Sequence, residues 1–241
     1  MGWFALLYGS FGYLAFLASF AYLVAFVGDL GVPRSVSFGP SAPPGVALAV
    51  DGALLALFGC QHSLMARPAC KRWLPPALER STYVLCSSAA LVLLFVLWRP
   101  LPAVVWHLQT PVLRGAVWAL FLAGVALALT STFLISHGDL FGLRQVWCAF
   151  RARPYREPPF RLNAVYARVR HPLMLGFLVL FWATPRMTLG HLCFALAMTA
   201  YIGVGTALEE RDLVRTLGAE YQAYRRAVPR FFPARGRQPP P

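Results

Sequence analysis

Charge is what this chain has least of: 13% of its 241 residues are Asp, Glu, Lys or Arg, and only 9 are acidic. So few charges cannot solvate an ordinary soluble domain of this length, so they must lie between apolar stretches long enough to cross a bilayer. Lysine is almost missing, with Lys71 alone among 22 basic residues. The net charge of +13 has no basic segment interleaved with exposed aromatics. That argues against nucleic acid and for a membrane surface. No C-x-x-C pair occurs among Cys60, Cys70, Cys86, Cys148 and Cys193. Neither a disulfide framework nor a metal site is expected.

What is present is apolar length. Residues 3–28, 46–65, 82–98 and 115–135 are four runs able to span as helices, because a segment in hydrocarbon must satisfy its own backbone hydrogen bonds. The first is too long for the apolar core of a secretory signal and is read as a retained helix. Residues 31–45, rich in Pro, Gly and Ser, form a loop. The last apolar stretch is broken at Pro185-Arg186 into 172–184 and 187–208, a helical hairpin whose first arm is short or tilted. The expected fold is all-α: a polytopic membrane bundle of six helices, with residues 1–150 as a four-helix membrane region, 151–233 as the functional region and 234–241 as a disordered tail.

Orientation follows from the arginines. Residues 66–81 and 136–171 hold Arg67, Lys71, Arg72, Arg80, Arg144, Arg151, Arg153, Arg156, Arg161, Arg168 and Arg170, against few acids. Both segments are expected to be cytoplasmic, with both termini on that side and the chain in a bacterial inner membrane.

Three polar clusters meet at the cytoplasmic face. Tyr166, Arg170, His171 and Pro172 lead into the fifth helix, whose free N–H groups with the two cations suit a carboxylate or phosphate; an interfacial Arg-His anchor is the plainer alternative. Glu209-Glu210-Arg211-Asp212 puts acids where the surface and the helix end favour cations. A cationic or hydroxyl-rich ligand would explain them, as would a helix continuing into water with Arg211 and Arg215 as partners. Gln61-His62-Ser63 with Arg67, followed by Glu79-Arg80-Ser81-Thr82-Tyr83, is the third. A lone intramembrane histidine commonly just bonds a neighbouring helix, but Gln61 beside it favours function. Asp51 lies three turns, about 16 Å, from His62 and is not its partner.

The combination Tyr166-x-x-x-Arg170-His171-Pro172, then Glu209-Glu210, Gly218, Tyr221, Tyr224 and Val228-Pro229, resembles the isoprenylcysteine carboxyl methyltransferase superfamily over residues 158–233. Gln61-His62-Ser63-Leu64-Met65-Ala66-Arg67-Pro68, the 79–84 stretch, 131–146 and Arg170 to Phe177 look like its bacterial, dimethyl-sulfide-forming methanethiol S-methyltransferase branch. The resemblance implies S-adenosylmethionine as cofactor, held by Pro158, Pro159, Phe160, Arg161, Tyr166, Arg170, His171, Pro172, Leu173, Met174, Glu209 and Glu210. It also implies a small volatile thiol near Gln61, His62 and Tyr83, with His62 and His171 as catalytic candidates. Besides the bilayer, no obligate protein partner is evident. Two departures matter. The prenylcysteine enzymes carry a substrate-handling arginine where this chain has Gly205, and a tyrosine at Met174; both weigh against a large prenylated acceptor. Nurim, a nuclear-envelope protein, resembles the same fold and shares Gln-His-Ser-Leu-Met-Ala, which leaves open a non-catalytic membrane scaffold. Methylation of another thiol or lipid-soluble acceptor also stays open.

Overall fold

The computed structural model describes residues 2–67, 70, 72–157 and 165–232. Five helices in it are long and apolar enough to cross a membrane: α1 (Gly2–Gly28), α2 (Pro44–Met65), α3 (Pro76–Leu97), α4 (Pro111–Ile135) and α8 (Leu189–Leu217). Prolines open three of them, at a position where the missing N–H is no loss. Between α4 and α8 come the short helices α5 (His137–Leu140), α6 (Leu143–Phe150) and α7 (Pro172–Trp182), and α9 (Ala219–Ala227) follows α8. The expected all-α membrane bundle is what the chain forms. Its fifth helix, α7, has 11 residues, about 16 Å of rise against a hydrocarbon core of about 30 Å.

The short α7 is held by backbone proximity rather than by bulk. A Cβ on Gly176 would sit 2.6 Å from the backbone nitrogen of Ala128, and one on Gly124 would sit 2.8 Å from that of Leu180. Small residues thus let α4 and α7 approach closely, the main means of helix association where lipid competes for apolar contact.

The helices run alternately, so one end of the bundle gathers the starts of α1, α3 and α7 with the ends of α2, α4 and α8. The opposite end is closed by a two-stranded antiparallel ribbon that hydropathy does not foresee: β1 (Val104–His107) pairs with β2 (Arg186–Thr188), Trp106 facing Met187. Beneath that ribbon lies the aromatic core of Phe26, Phe95, Trp98, Phe181 and Phe194, all buried. Asp51 belongs to this end, where it accepts the backbone N–H of Arg99 at 2.9 Å.

At the polar end α6 packs across α1 and α3. Gly142 turns the chain into it at φ 84°, with Ser81 so close that a Cβ would lie 2.9 Å from the Ser81 backbone nitrogen. Only glycine satisfies both conditions. Asp139 anchors the same loop: burial pushes its carboxyl up, but Ser136, Tyr155 and Arg144 outweigh this and hold it below the usual range. Arg144 stands 3.1 Å from it.

Candidate active site

Two polar constellations occupy the α6 end of the bundle. The outer one is organised by Glu210, whose side chain is 2% exposed. Arg170 reaches its Oε1 from Nε at 2.9 Å and from Nη2 at 2.8 Å, Arg230 donates to Oε2 at 2.9 Å, and His171 Nε2 lies 3.0 Å from Oε1. Arg170 also donates to the carbonyls of Arg225 and Val228, at 2.7 and 2.5 Å. The backbone N–H groups of Arg170 and His171 donate to Pro229 and Arg230, and the Tyr224 hydroxyl donates to the Tyr166 carbonyl at 2.7 Å. A buried carboxylate needs such saturation by charged donors to persist. Its effect is to strap the chain after α9 to the entry of α7. Tyr221 is buried in this strap; burial first, then the nearby Glu210 charge, pushes its hydroxyl up to about 12. Burial likewise raises the Tyr166 hydroxyl.

Glu209, the next residue, is placed differently. Its side chain is 55% exposed, and among the described residues its one close polar partner is His171 Nδ1 at 3.7 Å. The acidic pair is therefore divided: Glu210 is committed to structure and Glu209 is available. His171 stands between them, one ring nitrogen toward each.

The inner constellation surrounds His62. Its Nε2 lies 2.5 Å from the Tyr83 hydroxyl and its Nδ1 lies 3.0 Å from Ser87 Oγ. Phe58 stacks on the ring with centroids 5.3 Å apart, and Tyr201 meets it edge-on at 6.3 Å. Gln61 donates to the Met65 sulfur at 3.1 Å, while its Oε1 is buried with no hydrogen-bond partner among the described residues. Arg80 covers the Tyr83 ring at 5.3 Å.

Helix α8 joins the two constellations. Tyr201 and Glu209 are eight residues apart, about 12 Å along one face. That face is turned to α2, because Ser63 donates to the Tyr201 hydroxyl at 3.4 Å and Arg67 pairs with Asp212 at 3.1 Å. Between these two bridges sits Gly205, where an added Cβ would meet nothing within 4 Å. The helices are tied above and below Gly205, with the Tyr201 that meets His62 on one side of it along α8 and Glu209 on the other. A polar residue continues the acidic run without Arg211: Asp212 pairs with Arg67 and, at 3.6 Å, with Arg215.

The sequence-derived candidates fall as follows. His171, Glu209, Glu210, Arg170 and Tyr166 come together around the strap; Pro172 opens α7, Leu173 follows it and Met174 packs against the apolar core. Gln61, His62 and Tyr83 form the second group. Pro158, Pro159, Phe160 and Arg161, like Lys71 and the tail at 233–241, lie outside the described residues. Ser87, Tyr201 and Arg230 join these groups without any mark in the sequence. The first two sit in apolar runs with nothing to mark them, and Arg230 gains its role only because the chain folds back over α7.

Comparison with known proteins identifies the family. Residues 52–226 match the family model described as NnrU protein. The chain is 52% identical over 232 residues to a methanethiol S-methyltransferase of Mycobacterium tuberculosis, covering 95% of each. It is 51% identical over 235 residues to methanethiol S-methyltransferase 2 of Bradyrhizobium diazoefficiens, covering 95% of this chain and 89% of that one. Nurim of Sus scrofa is 32% identical over 216 residues, 80% of each chain. No solved structure matches. The chain is thus a multi-pass membrane protein that belongs to the NnrU protein family, among the methanethiol S-methyltransferases of that group.

Proposed function

We propose that this protein transfers the methyl group of S-adenosylmethionine to the sulfur of methanethiol, giving dimethyl sulfide and S-adenosylhomocysteine. The names of its relatives support the activity. The observation that carries it is an exposed carboxylate, Glu209, with one loose partner among the described residues, two turns along α8 from the Tyr201 that meets the His62–Tyr83 couple, with Gly205 between them. A scaffold of the kind nurim suggested has no use for that arrangement.

The residues present suit the cofactor. Glu209 can receive its ammonium or ribose hydroxyls, His171 and the first turn of α7 stand beside that carboxylate, and the orphaned Gln61 Oε1 is an acceptor awaiting a donor. When bound, the cofactor supplies a methyl on a positively charged sulfur that recovers the breaking bond pair as the acceptor's sulfur attacks in line. The chain's own work is to align the acceptor, exclude water and receive the thiol proton. His62 is the group placed for the last task, its ring held in position by Tyr83 on one side and Ser87 on the other. Phe58 and Tyr201 wall an apolar place for a small thiol. Alignment in such a pocket supplies much of the acceleration, since the reaction disperses charge rather than creating it.

The arginine distribution supports a cytoplasmic α6 end, with both termini and Arg156 on the side where S-adenosylmethionine is made. The direct test supplies purified protein with labelled S-adenosylmethionine and a panel of volatile and lipid-soluble thiols. Label should appear in dimethyl sulfide; label only in a larger thioether would reassign the acceptor.

A further inference from the structure

The strap leaves an electrostatic question. A cofactor with an amino-acid end presents both an ammonium and a carboxylate, and Glu209 answers only the first. The cation nearest in sequence logic, Arg170, is consumed by Glu210 and two backbone carbonyls. Arg230 also serves Glu210, Arg67 serves Asp212 and Arg144 serves Asp139. Arg80 differs. Its Nε donates to the Leu140 carbonyl at 2.9 Å, which together with the Tyr83 ring beneath it fixes the guanidinium plane, while Nη1 and Nη2 have no acceptor among the described residues. Its charge acts on Glu209, Tyr83 and His62 alike, so it stands where the two constellations adjoin.

We propose that Arg80 and Glu209 are the two poles of the site for the amino-acid end of the cofactor, with the free Nη1 and Nη2 of Arg80 taking its carboxylate and Glu209 its ammonium. A guanidinium fork tethered through Nε presents its terminal donors in the geometry a carboxylate accepts in pairs. The tether gives the 136–142 loop a purpose: Leu140, whose N–H donates to the Ser136 carbonyl, fixes the arginine from behind. It also gives the Glu79 to Tyr83 stretch a double role, since Arg80 serves the cofactor and Tyr83, one turn on, serves His62.

The proposal rests on the methyltransferase reading, and binding rather than turnover separates the two. The affinities of full-length protein in detergent for S-adenosylhomocysteine and for its decarboxylated analogue are compared by calorimetry. Wild type should prefer the carboxylate-bearing compound by about 10- to 100-fold, as one charged bidentate contact gives. In Arg80→Gln the preference should collapse toward one, with affinity for the decarboxylated analogue nearly unchanged. A merely structural arginine would weaken both ligands equally, and an unchanged ratio in Arg80→Gln overturns the proposal. If Arg80→Gln does not fold, Arg80→Lys decides: it keeps charge without the fork, so the ratio should fall between wild type and one, and a wild-type ratio contradicts the assignment. Absence of any S-adenosylhomocysteine binding by wild type would instead sink the methyltransferase reading itself.

Discussion

Two adjacent glutamates with opposite fates show how much depends on where a side chain points. Glu210 faces inward to Arg170, Arg230 and His171, so Glu210→Gln should cost about 3 kcal/mol or more of stability by leaving buried cations poorly compensated. Glu209 is half-exposed and only loosely held, so Glu209→Gln should barely move thermal unfolding in detergent yet weaken S-adenosylmethionine binding by about 1.5–3 kcal/mol. His62→Ala completes the set: turnover should fall while cofactor affinity stays near wild type, because the ring meets Tyr83 and Ser87 rather than the strap. Calorimetry, melting curves and turnover assays on the three variants read these outcomes. Equal loss of cofactor affinity in Glu209→Gln and His62→Ala would contradict the division of roles. At this scale the sequence showed which residue types were out of place, and it could not tell the structural carboxylate from the available one. That distinction is made by Arg230, which reaches Glu210 only through the fold-back after α9.

Helices in this bundle are placed by glycines with contrary tasks. Gly176 is a contact glycine, its missing Cβ occupied by the α4 backbone, so Gly176→Ala should destabilise by about 1–3 kcal/mol as α7 is pushed from α4. Gly205 is a space glycine. Gly205→Ala should stabilise α8 by about 0.5–1 kcal/mol, since alanine is the better helix former and its Cβ meets nothing. The same change should narrow the gap between α2 and α8 and lower turnover of ethanethiol relative to methanethiol, a discrimination of one methylene that an apolar pocket can make only modestly. Competitive assays of the two thiols measure it, and a wild-type ratio would place the acceptor elsewhere. Hydropathy made every long helix legible, along with the hairpin at Pro185, because burial in lipid needs only apolar length. It missed the β1–β2 ribbon and α6, whose residues are too few and too mixed to stand out, and which are ordered by the ends of helices already placed.

For the whole molecule, the design is an apolar, aromatic half beneath the ribbon and a polar half beneath α6, and the proposed chemistry belongs to the second. That polarity has a sidedness requirement. Reporter fusions at Gly39, Arg72, Gln109, Arg156 and the C-terminus should read outside, inside, outside, inside, inside; an outside signal at Arg156 would separate the site from cytosolic cofactor. The resemblance in the motifs reached the family and the two clusters. It did not reach their connection through α8, which depends on Tyr201 and Gly205 standing on one face toward α2. The central claim, methyl transfer to methanethiol at this connection, is met most directly by headspace analysis of cells expressing the protein and fed methanethiol. Dimethyl sulfide should accumulate well above the level given by Glu209→Gln expressed equally. No difference between the two, with S-adenosylmethionine binding shown for the wild-type protein, would contradict it.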